Sequence, residues 1–502
     1  MKQIVIIVLA LLPLVAIADD SQQNTTSDDV KVRPSREYMQ KYEVAHLDDK
    51  AVCNDGSSGF YYHRIGSPLN STRWVIRFLG GAWCWDQDSC QTRAKNTPYL
   101  MSTAMLPPNT SATTHVDSVP DVVIQTAGIT SIEWWLNPSY HSWAHVHIWY
   151  CSSDSHLSDT APGEESGLGE WQFRGKRIAA AVMEDLFQQH GLANATHVLL
   201  TGDSAGGVGA MNNADWIGSM LKQRALQLES YKVFVDAGWF LDIAPYASRK
   251  DGFTFQKTAR ALAGPLNASF DRSCMDFYGQ DDSWRCFFAA SCYGFLETPA
   301  LFHQYLYDSA NLGYDSAAWS QFNDFRRKLT ASIRGRPASK WNVTSSNCTA
   351  DAACLDTPAM TPASLTLAVE YAEGQSTALQ SGSGFPGMSD MDMSQASPES
   401  AGKSSNISDI LPASVRPPNV FAPACHLHEM IDGVLFTKSS IGDRWLVDEL
   451  EDWYADRTQS VFVLDPHEGM ESDALCGTTP KASMLLAAAM ARYLVLEAGR
   501  GV

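Results

Sequence analysis

The pentapeptide Gly202-Asp203-Ser204-Ala205-Gly206 matches the pattern G-x-S-x-G. Residues His197 to Leu200, just before it, form a short apolar run typical of a buried strand, and a run rich in small residues follows the pentapeptide. A serine on a sharp turn between a strand and a helix can attack a carbonyl carbon, and the flanking glycines leave room for that strained turn. This context predicts a nucleophile at Ser204. Because the pattern is short, the alternative is a glycine-rich connection that carries no chemistry.

A serine nucleophile needs a base to take its proton and a carboxylate to orient that base. In sheets of this type the chain order is serine, acid, histidine. The histidines that lie late enough in the chain are His426, His428 and His467. The candidate acids are Asp236, Asp308, Asp315 and Asp465. Chain order alone does not choose among them.

Alternating strand and helix patterns around Ser204 indicate the fold class. Strand patterns occur in "RWVIRFLGG", "DVVIQTAG", "HVHIWYC", "YKVFVDAGWFLD", "NVFAPAC" and "SVFVLD". The segment "WQFRGKRIAAAVMEDLFQQHGL" has helical periodicity and ends at Gly191, a C-terminal capping glycine. These patterns predict an α/β protein with a mostly parallel sheet covered by helices on both faces.

Two segments near the C-terminus differ from this pattern. Residues 374–418 are rich in Ser, Gly, Asp and Met and have no periodicity, which predicts a disordered, low-complexity insertion in the fold. The last segment, "PKASMLLAAAMARYLVLEAGRGV", has the apolar length of a lipid-anchor signal, but Arg492 and Glu497 interrupt it. We expect an ordinary helix there.

The N-terminus indicates a secreted, extracellular protein. Residues 1–18 have one lysine, an apolar run and an Ala16-x-Ala18 cleavage pattern, as in a signal peptide. The apolar run is shorter than the ~20 residues of a membrane span, so we expect no stable span. Residues 19–45 are polar, which predicts a mobile segment before a single domain at 46–500. Acceptor sequons support secretion and occur at Asn24, Asn70, Asn109, Asn194, Asn267, Asn342, Asn347 and Asn406.

Charge and cysteine content exclude some functions. The formal net charge of −19 argues against a nucleic-acid partner, because neutralising phosphates requires a basic surface. Eleven cysteines in an oxidising compartment should largely pair, and an odd count leaves at least one unpaired. Close spacing favours the pairs Cys84–Cys90 and Cys348–Cys354. No C-x-x-C pair with zinc-site spacing occurs, so we expect no metal, and a serine nucleophile with its base and acid needs no cofactor.

Seven short blocks in order resemble the pectin acetylesterase/Notum family of secreted α/β-hydrolase-like carboxylesterases. They are "CNDGSSGFYY", "GGAWCW", "YCSSD", "GDSAGG", "AGWFLD", "LYDSANL" and "FAPACHLHE", and the resemblance spans about residues 45–490 apart from the insertion. It implies that Ser204 is the nucleophile, Asp308 the acid and His428 the base. His426 is then expected to be an ordinary packed histidine. In this fold the amides of Ala205, Gly81 and Ala82 form the oxyanion hole, although "GGAWC" is equally a turn that a disulfide at Cys84 would require.

The blocks leave the substrate open. "GGAWC" is closer to plant pectin acetylesterases, which implies removal of acetyl groups from a polysaccharide. The blocks "CNDGS", "YCSSD" and "APAC-x-x-HE" are closer to Notum, which implies removal of a fatty acyl group from a secreted protein. Aromatic residues that could line a substrate pocket are Trp83, Trp134, Trp135 and Trp143, although packing in the core explains them equally well. The prediction is a serine carboxylesterase that prefers short esters. A non-catalytic binding protein on the same scaffold is the alternative from another class.

Overall fold

The computed structural model describes residues 38–68, 71–104, 121–123, 125, 127–163, 168–335, 418–431 and 433–466. They belong to one compact unit, residues 35–502. The predicted signal peptide, the insertion at 374–418 apart from Pro418, and the C-terminal helix lie outside the described residues.

A large, mostly parallel sheet organises the described residues. Its strands, with a separate two-stranded hairpin (β10 and β11), are β1 Met39–Glu43, β2 Phe60–Arg64, β3 Arg73–Phe78, β4 Val122–Val123, β5 Ala144–Ile148, β6 His197–Asp203, β7 Ser230–Asp236, β8 Ala300–His303, β9 Asn419–Ala422, β10 Ser440–Ile441, β11 Arg444–Trp445 and β12 Phe462–Leu464. The ten strands of the sheet described here follow the order β12-β9-β8-β7-β6-β3-β5-β2-β1-β4. The seven strands from β12 to β5 are parallel to their neighbours, and β2, β1 and β4 continue the sheet in antiparallel pairing.

Helices accompany the strands. The α-helices are α1 Gln87–Asn96, α2 Gly175–Gln189, α3 Ala205–Arg224, α4 Phe255–Ala263, α5 Arg272–Tyr278, α6 Ala289–Cys292, α7 Ser309–Tyr314, α8 Phe322–Ile333 and α9 Leu446–Tyr454. Short 3-10 turns occupy Pro98–Leu100, Leu192–Asn194, Gln280–Phe287, Tyr293–Phe295, Trp319–Gln321 and Val434–Thr437. The predicted helix before Ser204 is α2, and Gly191 adopts the left-handed conformation just beyond its end, as the sequence predicted.

The two faces of the sheet pack against separate cores. Trp74, Ile76 and Phe78 on β3 join one core with residues of α2 and α3, whereas Val75 of the same strand joins a second core with residues of α9. Successive strand residues point to opposite faces, so a strand buried on both faces is apolar at nearly every position. This explains the continuous apolar run in "RWVIRF" and confirms the predicted mostly parallel sheet flanked by helices.

Part of the segment that the sequence predicted to be mobile forms a strand of the sheet. Residues 39–43, within the segment predicted to be mobile at 19–45, form β1 between β2 and β4. Only Met39 in this strand is fully buried, and most of the others are half-buried. The strand is mainly held by backbone pairing with its neighbours, which apolar periodicity does not reveal.

Three disulfides join described residues. Cys84–Cys90 is formed as predicted, and Cys53–Cys151 and Cys274–Cys286 are also present. Among the described cysteines, Cys292 is unpaired and buried. The predicted pair Cys348–Cys354 lies outside the described residues. In the part of the chain that is described, no helix has the length and apolar character to cross a membrane.

Candidate active site

Ser204 lies on a sharp turn between the end of β6 and the start of α3. Its backbone has φ 53° and ψ −121°, a strained conformation for a residue with a side chain. A Cβ on Gly202 would lie 2.2 Å from the Gly206 carbonyl oxygen, and one on Gly206 would lie 2.2 Å from that of Phe78. Both glycines of the G-x-S-x-G pattern are therefore sterically required, for the reason that the sequence suggested.

His428 bridges Ser204 and Asp308, although it is distant from both in sequence. Its Nε2 is 2.8 Å from Ser204 Oγ, and its Nδ1 is 2.8 Å from Asp308 Oδ2. When the imidazole is neutral, the serine hydroxyl donates to Nε2 and the Nδ1 proton is donated to the carboxylate. The three residues that the sequence predicted as nucleophile, base and acid thus form one hydrogen-bonded chain.

Asp308 is fixed by several partners and is fully buried. It is the N-cap of α7, and its Oδ1 accepts the Asn311 amide at 2.7 Å. Its Oδ2 accepts both His428 and the side-chain amide of Gln304, the latter at 2.8 Å. A buried carboxylate is stable only when donors satisfy it, and these three donors leave it oriented towards the imidazole.

The electrostatics of the site favour a protonated His428. Burial of the imidazole lowers its pKa, but the charge and hydrogen bond of Asp308 outweigh this effect, with smaller contributions from Glu429 and Asp236. The net result raises the pKa of His428 to about 9. When His428 takes the proton of Ser204 it becomes an imidazolium, and this charged form is therefore strongly stabilised.

The oxyanion loop, residues 79–84, approaches Ser204 from the end of β3. Gly81 has φ 141° and Ala82 has φ 60°, so two consecutive residues are in backbone regions that L-residues seldom adopt. The Tyr150 hydroxyl donates to the Ala82 carbonyl at 2.7 Å and accepts the Ser155 amide at 3.0 Å. This turns the Ala82 carbonyl towards Tyr150.

The predicted oxyanion donors lie around the nucleophile. Gly80 is so close to the turn that a Cβ there would be 3.1 Å from Ser204 Cβ. Within the described residues, the amides of Gly81, Ala82 and Ala205 donate to no protein acceptor. The Ala205 amide is at the first turn of α3, where amides have no partner within the helix. Unpaired amides beside a serine are suited to binding an oxyanion.

A cavity of about 520 Å³ opens next to Ser204 and His428 at the carboxyl ends of the strands. The oxyanion loop, Leu100, Trp149 and Tyr150 contribute to its wall. Polar groups also line it, namely Arg77, Gln125, His147 and Asp203. Arg77 binds Asp203 Oδ1 through two nitrogens at 2.6 and 2.9 Å. Burial and the nearby Arg77 and Arg64 hold the pKa of His147 well below its usual value, so its imidazole is neutral.

The tryptophans predicted as pocket residues do not line this cavity. Trp83 is a buried residue of the oxyanion loop, and its ring packs against Phe240 and Phe287 at 5.1 and 5.5 Å. Trp143 is buried in the second core. Trp134 is 62% exposed and touches Trp135 edge to face. Aromatic residues occupy cores as readily as binding sites, and here the packing role accounts for Trp83 and Trp143.

The remaining candidates occupy other positions. His426 packs against Trp319 and Phe322 and does not join the hydrogen-bonded chain of Ser204. Asp315 is buried near Asp308, and burial raises its pKa to about 8. Asp465 accepts the Ala424 amide. His467 lies outside the described residues.

The other predicted positions concern glycosylation and metals. Asn194 and Asn267 are exposed, as glycan acceptors must be, and the other predicted sequons lie outside the described residues. Within the described residues, no three or more His, Cys, Asp or Glu side chains cluster as metal ligands.

Sequence reasoning missed the residues that support the site. Gln304 and Tyr150 contact Asp308 and Ala82 respectively, and neither belongs to a catalytic pattern. The only sequence signal for them was their position in or beside the blocks "LYDSANL" and "YCSSD". Such supporting roles depend on contacts between distant segments, so spacing does not reveal them.

The fold and the site geometry define an α/β-hydrolase-like protein, and comparison with known proteins identifies its family. Residues 34–332 match the pectinacetylesterase family. The chain belongs to this family. The matched region includes Ser204 and Asp308 but ends before His428.

Individual relatives carry the name palmitoleoyl-protein carboxylesterase. The chain is 30% identical over 264 residues to NOTUM of Schmidtea mediterranea, covering 52% of this chain and 47% of that protein. It is 29% identical over 274 residues to NOTUM of Homo sapiens, covering 54% and 51% respectively. The chain thus spans about half the length of these curated relatives. The crystal structure of the Wnt deacylase Notum from Drosophila has the same fold, with a TM-score of 0.63 and 22% identity over 88% of this chain and 99% of that chain.

Proposed function

We propose that this protein is a secreted serine carboxylesterase that hydrolyses an O-acyl ester through an acyl-enzyme. Ser204 Oγ attacks the ester carbonyl while His428 Nε2 takes its proton, and the amides of Gly81, Ala82 and Ala205 stabilise the oxyanion. His428 then donates the proton to the leaving alcohol. Water deacylates the enzyme by the same steps, with His428 again acting as the base.

The observation that carries this proposal is the hydrogen-bonded chain from Ser204 through His428 to Asp308, with both distances at 2.8 Å. A strained serine beside unpaired amides is costly to maintain, and such strain is concentrated at active sites. A non-catalytic binding protein on this scaffold would not require this chain. The family membership and the names of the relatives support ester hydrolysis independently.

The cavity favours a short or polar acyl group. Alkyl chains gain about 0.8 kcal/mol for each buried CH₂ only where the surrounding wall is apolar. Here the paired Arg77 and Asp203 and the neutral His147 interrupt the apolar wall of the cavity, so an alkyl chain packed against them gains less than it would in a wholly apolar pocket. An O-acetylated polysaccharide is accordingly the substrate class that we propose first.

Removal of a fatty acyl group from a secreted protein is the second candidate. Its support is that the curated relatives are named palmitoleoyl-protein carboxylesterases. A series of p-nitrophenyl esters from acetate to palmitate, assayed below the micelle threshold, separates the two. We expect kcat/KM to stop rising after about four carbons, whereas a maximum at eight carbons or more would favour the lipid substrate.

The Ser204→Ala variant tests the mechanism. We expect it to be secreted and folded like the wild type but to lose esterase activity and labelling by a fluorophosphonate probe. His428→Ala should lose activity likewise, while His426→Ala, a matched histidine two residues away, should retain it. Turnover by Ser204→Ala would refute the assigned nucleophile, and equal losses in the two histidine variants would leave the base unassigned.

A further inference from the structure

Asp236, at the end of β7, lies at the centre of the site without belonging to the Ser204–His428–Asp308 chain. It is fully buried, as is His303 on the neighbouring strand β8, and His303 Nδ1 donates to Asp236 Oδ1 at 2.7 Å. The two residues are aligned in the sheet, since Asp236 pairs with His303 in the β7–β8 register. A buried carboxylate of this kind requires donors on both oxygens.

The second oxygen of Asp236 supplies the connection to the base. Asp236 Oδ2 accepts the backbone amides of Met430 and Ile431 at 2.8 and 2.9 Å. These residues follow His428 in the His428 loop, residues 423–431. The same residue also contacts the nucleophile, because its main-chain carbonyl accepts the Ser204 amide at 3.0 Å. Asp236 is therefore bonded both to the turn that carries Ser204 and to the loop that carries His428.

We propose that Asp236 is a positioning residue that sets the distance between Ser204 and His428 by fixing the His428 loop to the end of β7. The inference rests on the proposed function, since it concerns the geometry of that reaction. Asp236 acts through backbone amides and touches neither the reacting serine oxygen nor the imidazole. His303 holds the Asp236 carboxylate so that Oδ2 faces those amides.

The need for such an anchor follows from the chain connectivity. The Ser204 turn is held by β6 and α3, and Asp308 is the N-cap of α7, whereas the His428 loop follows β9 with no regular element around the histidine. The start of the loop is tied by the Pro423 carbonyl, which accepts the Leu306 amide, and by the Ala424 amide, which donates to Asp465. Nearer the histidine, the Leu427 carbonyl accepts the Ser309 amide and the Ile431 carbonyl accepts the Ile129 amide, so Asp236 holds the two residues that follow Glu429 by their own amides. A displacement of about 1 Å between reacting groups can reduce the rate by about 100-fold.

Asp236 also contributes charge. Three carboxylates raise the pKa of His428: Asp308 from α7, Glu429 from its own loop and Asp236 from β7. Removing the charge at Asp236 should therefore lower the pKa of His428, whereas a role confined to packing would leave it unchanged. This difference distinguishes a positioning carboxylate beside the base from a merely structural one.

The test is the Asp236→Asn variant of the full-length secreted protein, with Asp185→Asn as the matched control. Asp185 is a buried carboxylate on α2 that accepts the Tyr61 hydroxyl at 2.7 Å. For Asp236→Asn we expect kcat on p-nitrophenyl acetate to fall by about 10- to 100-fold, with KM changing less than threefold. The acid limb of the pH profile should move to lower pH. For Asp185→Asn we expect a lower Tm with unchanged kcat and pH profile.

A second variant keeps the inference testable if Asp236→Asn does not fold. His303→Leu keeps the Asp236 charge but removes the donor that orients it, so kcat should fall while the acid limb stays in place. Fluorophosphonate labelling of wild-type Ser204 reports separately on the proposed function, because an unlabelled wild type would refute that function itself. If the wild type is labelled and either variant, folded, keeps kcat within twofold, the positioning role of Asp236 is refuted.

Discussion

The hydroxyl of Tyr150 is a single group whose removal should release the oxyanion loop. In the Tyr150→Phe variant, the ring remains but the Ala82 carbonyl loses its donor and the Ser155 amide loses its acceptor. Ala82 has φ 60°, and a left-handed conformation costs a residue with a side chain roughly 1–2 kcal/mol. Without the hydrogen bond, this strain favours rotation of the loop away from the conformation that it has beside Ser204.

The expected size of the effect follows from that strain. A bias of 1–2 kcal/mol changes a two-state ratio by about 5- to 30-fold, so kcat/KM should fall by about that factor. This is smaller than the 10²–10³-fold loss expected when an oxyanion donor is itself removed. In Tyr150→Phe the donor amides of the loop are still present, and a minor conformation keeps them in place. Burial raises the pKa of Tyr150, so its hydroxyl is protonated in the native protein at neutral pH and the variant removes a neutral group.

The assay compares kcat/KM for p-nitrophenyl acetate with Tm for Tyr150→Phe and for the control Tyr61→Phe. Tyr61 is equally buried and its hydroxyl donates to Asp185, so the control loses a buried hydrogen bond that does not involve the oxyanion loop. Both variants should lose stability, and only Tyr150→Phe should lose activity. Adding Ala82→Gly to Tyr150→Phe should restore part of the rate, since glycine carries no strain at φ 60°. Activity within twofold of wild type in Tyr150→Phe would refute the reasoning.

Two further predictions follow from the site. Because the pKa of His428 is raised to about 9, the fraction of His428 that is neutral should increase with pH up to that value. We therefore expect kcat/KM for a neutral ester to rise about tenfold per pH unit below pH 9. A pH–rate profile that levels off near 6.5 would contradict this. Trp83→Ala should lower the free energy of unfolding by about 3–5 kcal/mol and open apolar space beside Phe240. In that variant the ratio of octanoate to acetate hydrolysis should increase, and an unchanged ratio would show that the space is not reachable by the acyl chain.

The local pattern of the sequence determined the nucleophilic turn. The apolar run 197–200, the two glycines around Ser204 and the small residues after it are all short-range features. They predict a strand, a strained turn and a helix because each depends on steric limits within a few residues. The same is true of α2 and its capping glycine, Gly191, and of the Cys84–Cys90 loop. Chain order and resemblance then selected Asp308 and His428 from several acids and histidines.

The tertiary structure decided how these residues meet and what supports them. Ser204 and His428 are 224 positions apart, and only the parallel order of β6 to β9 brings the ends of their strands to one edge of the sheet. Asp236 is one of the acids that chain order had left open. In the folded protein it accepts backbone amides of the His428 loop and does not bind the imidazole. The fold also buried the Trp83 ring against Phe240 and Phe287 and placed Arg77 and His147 in the cavity wall. Sequence patterns report local backbone preferences and burial, whereas side-chain partners across a sheet depend on register and strand order, which those patterns do not encode.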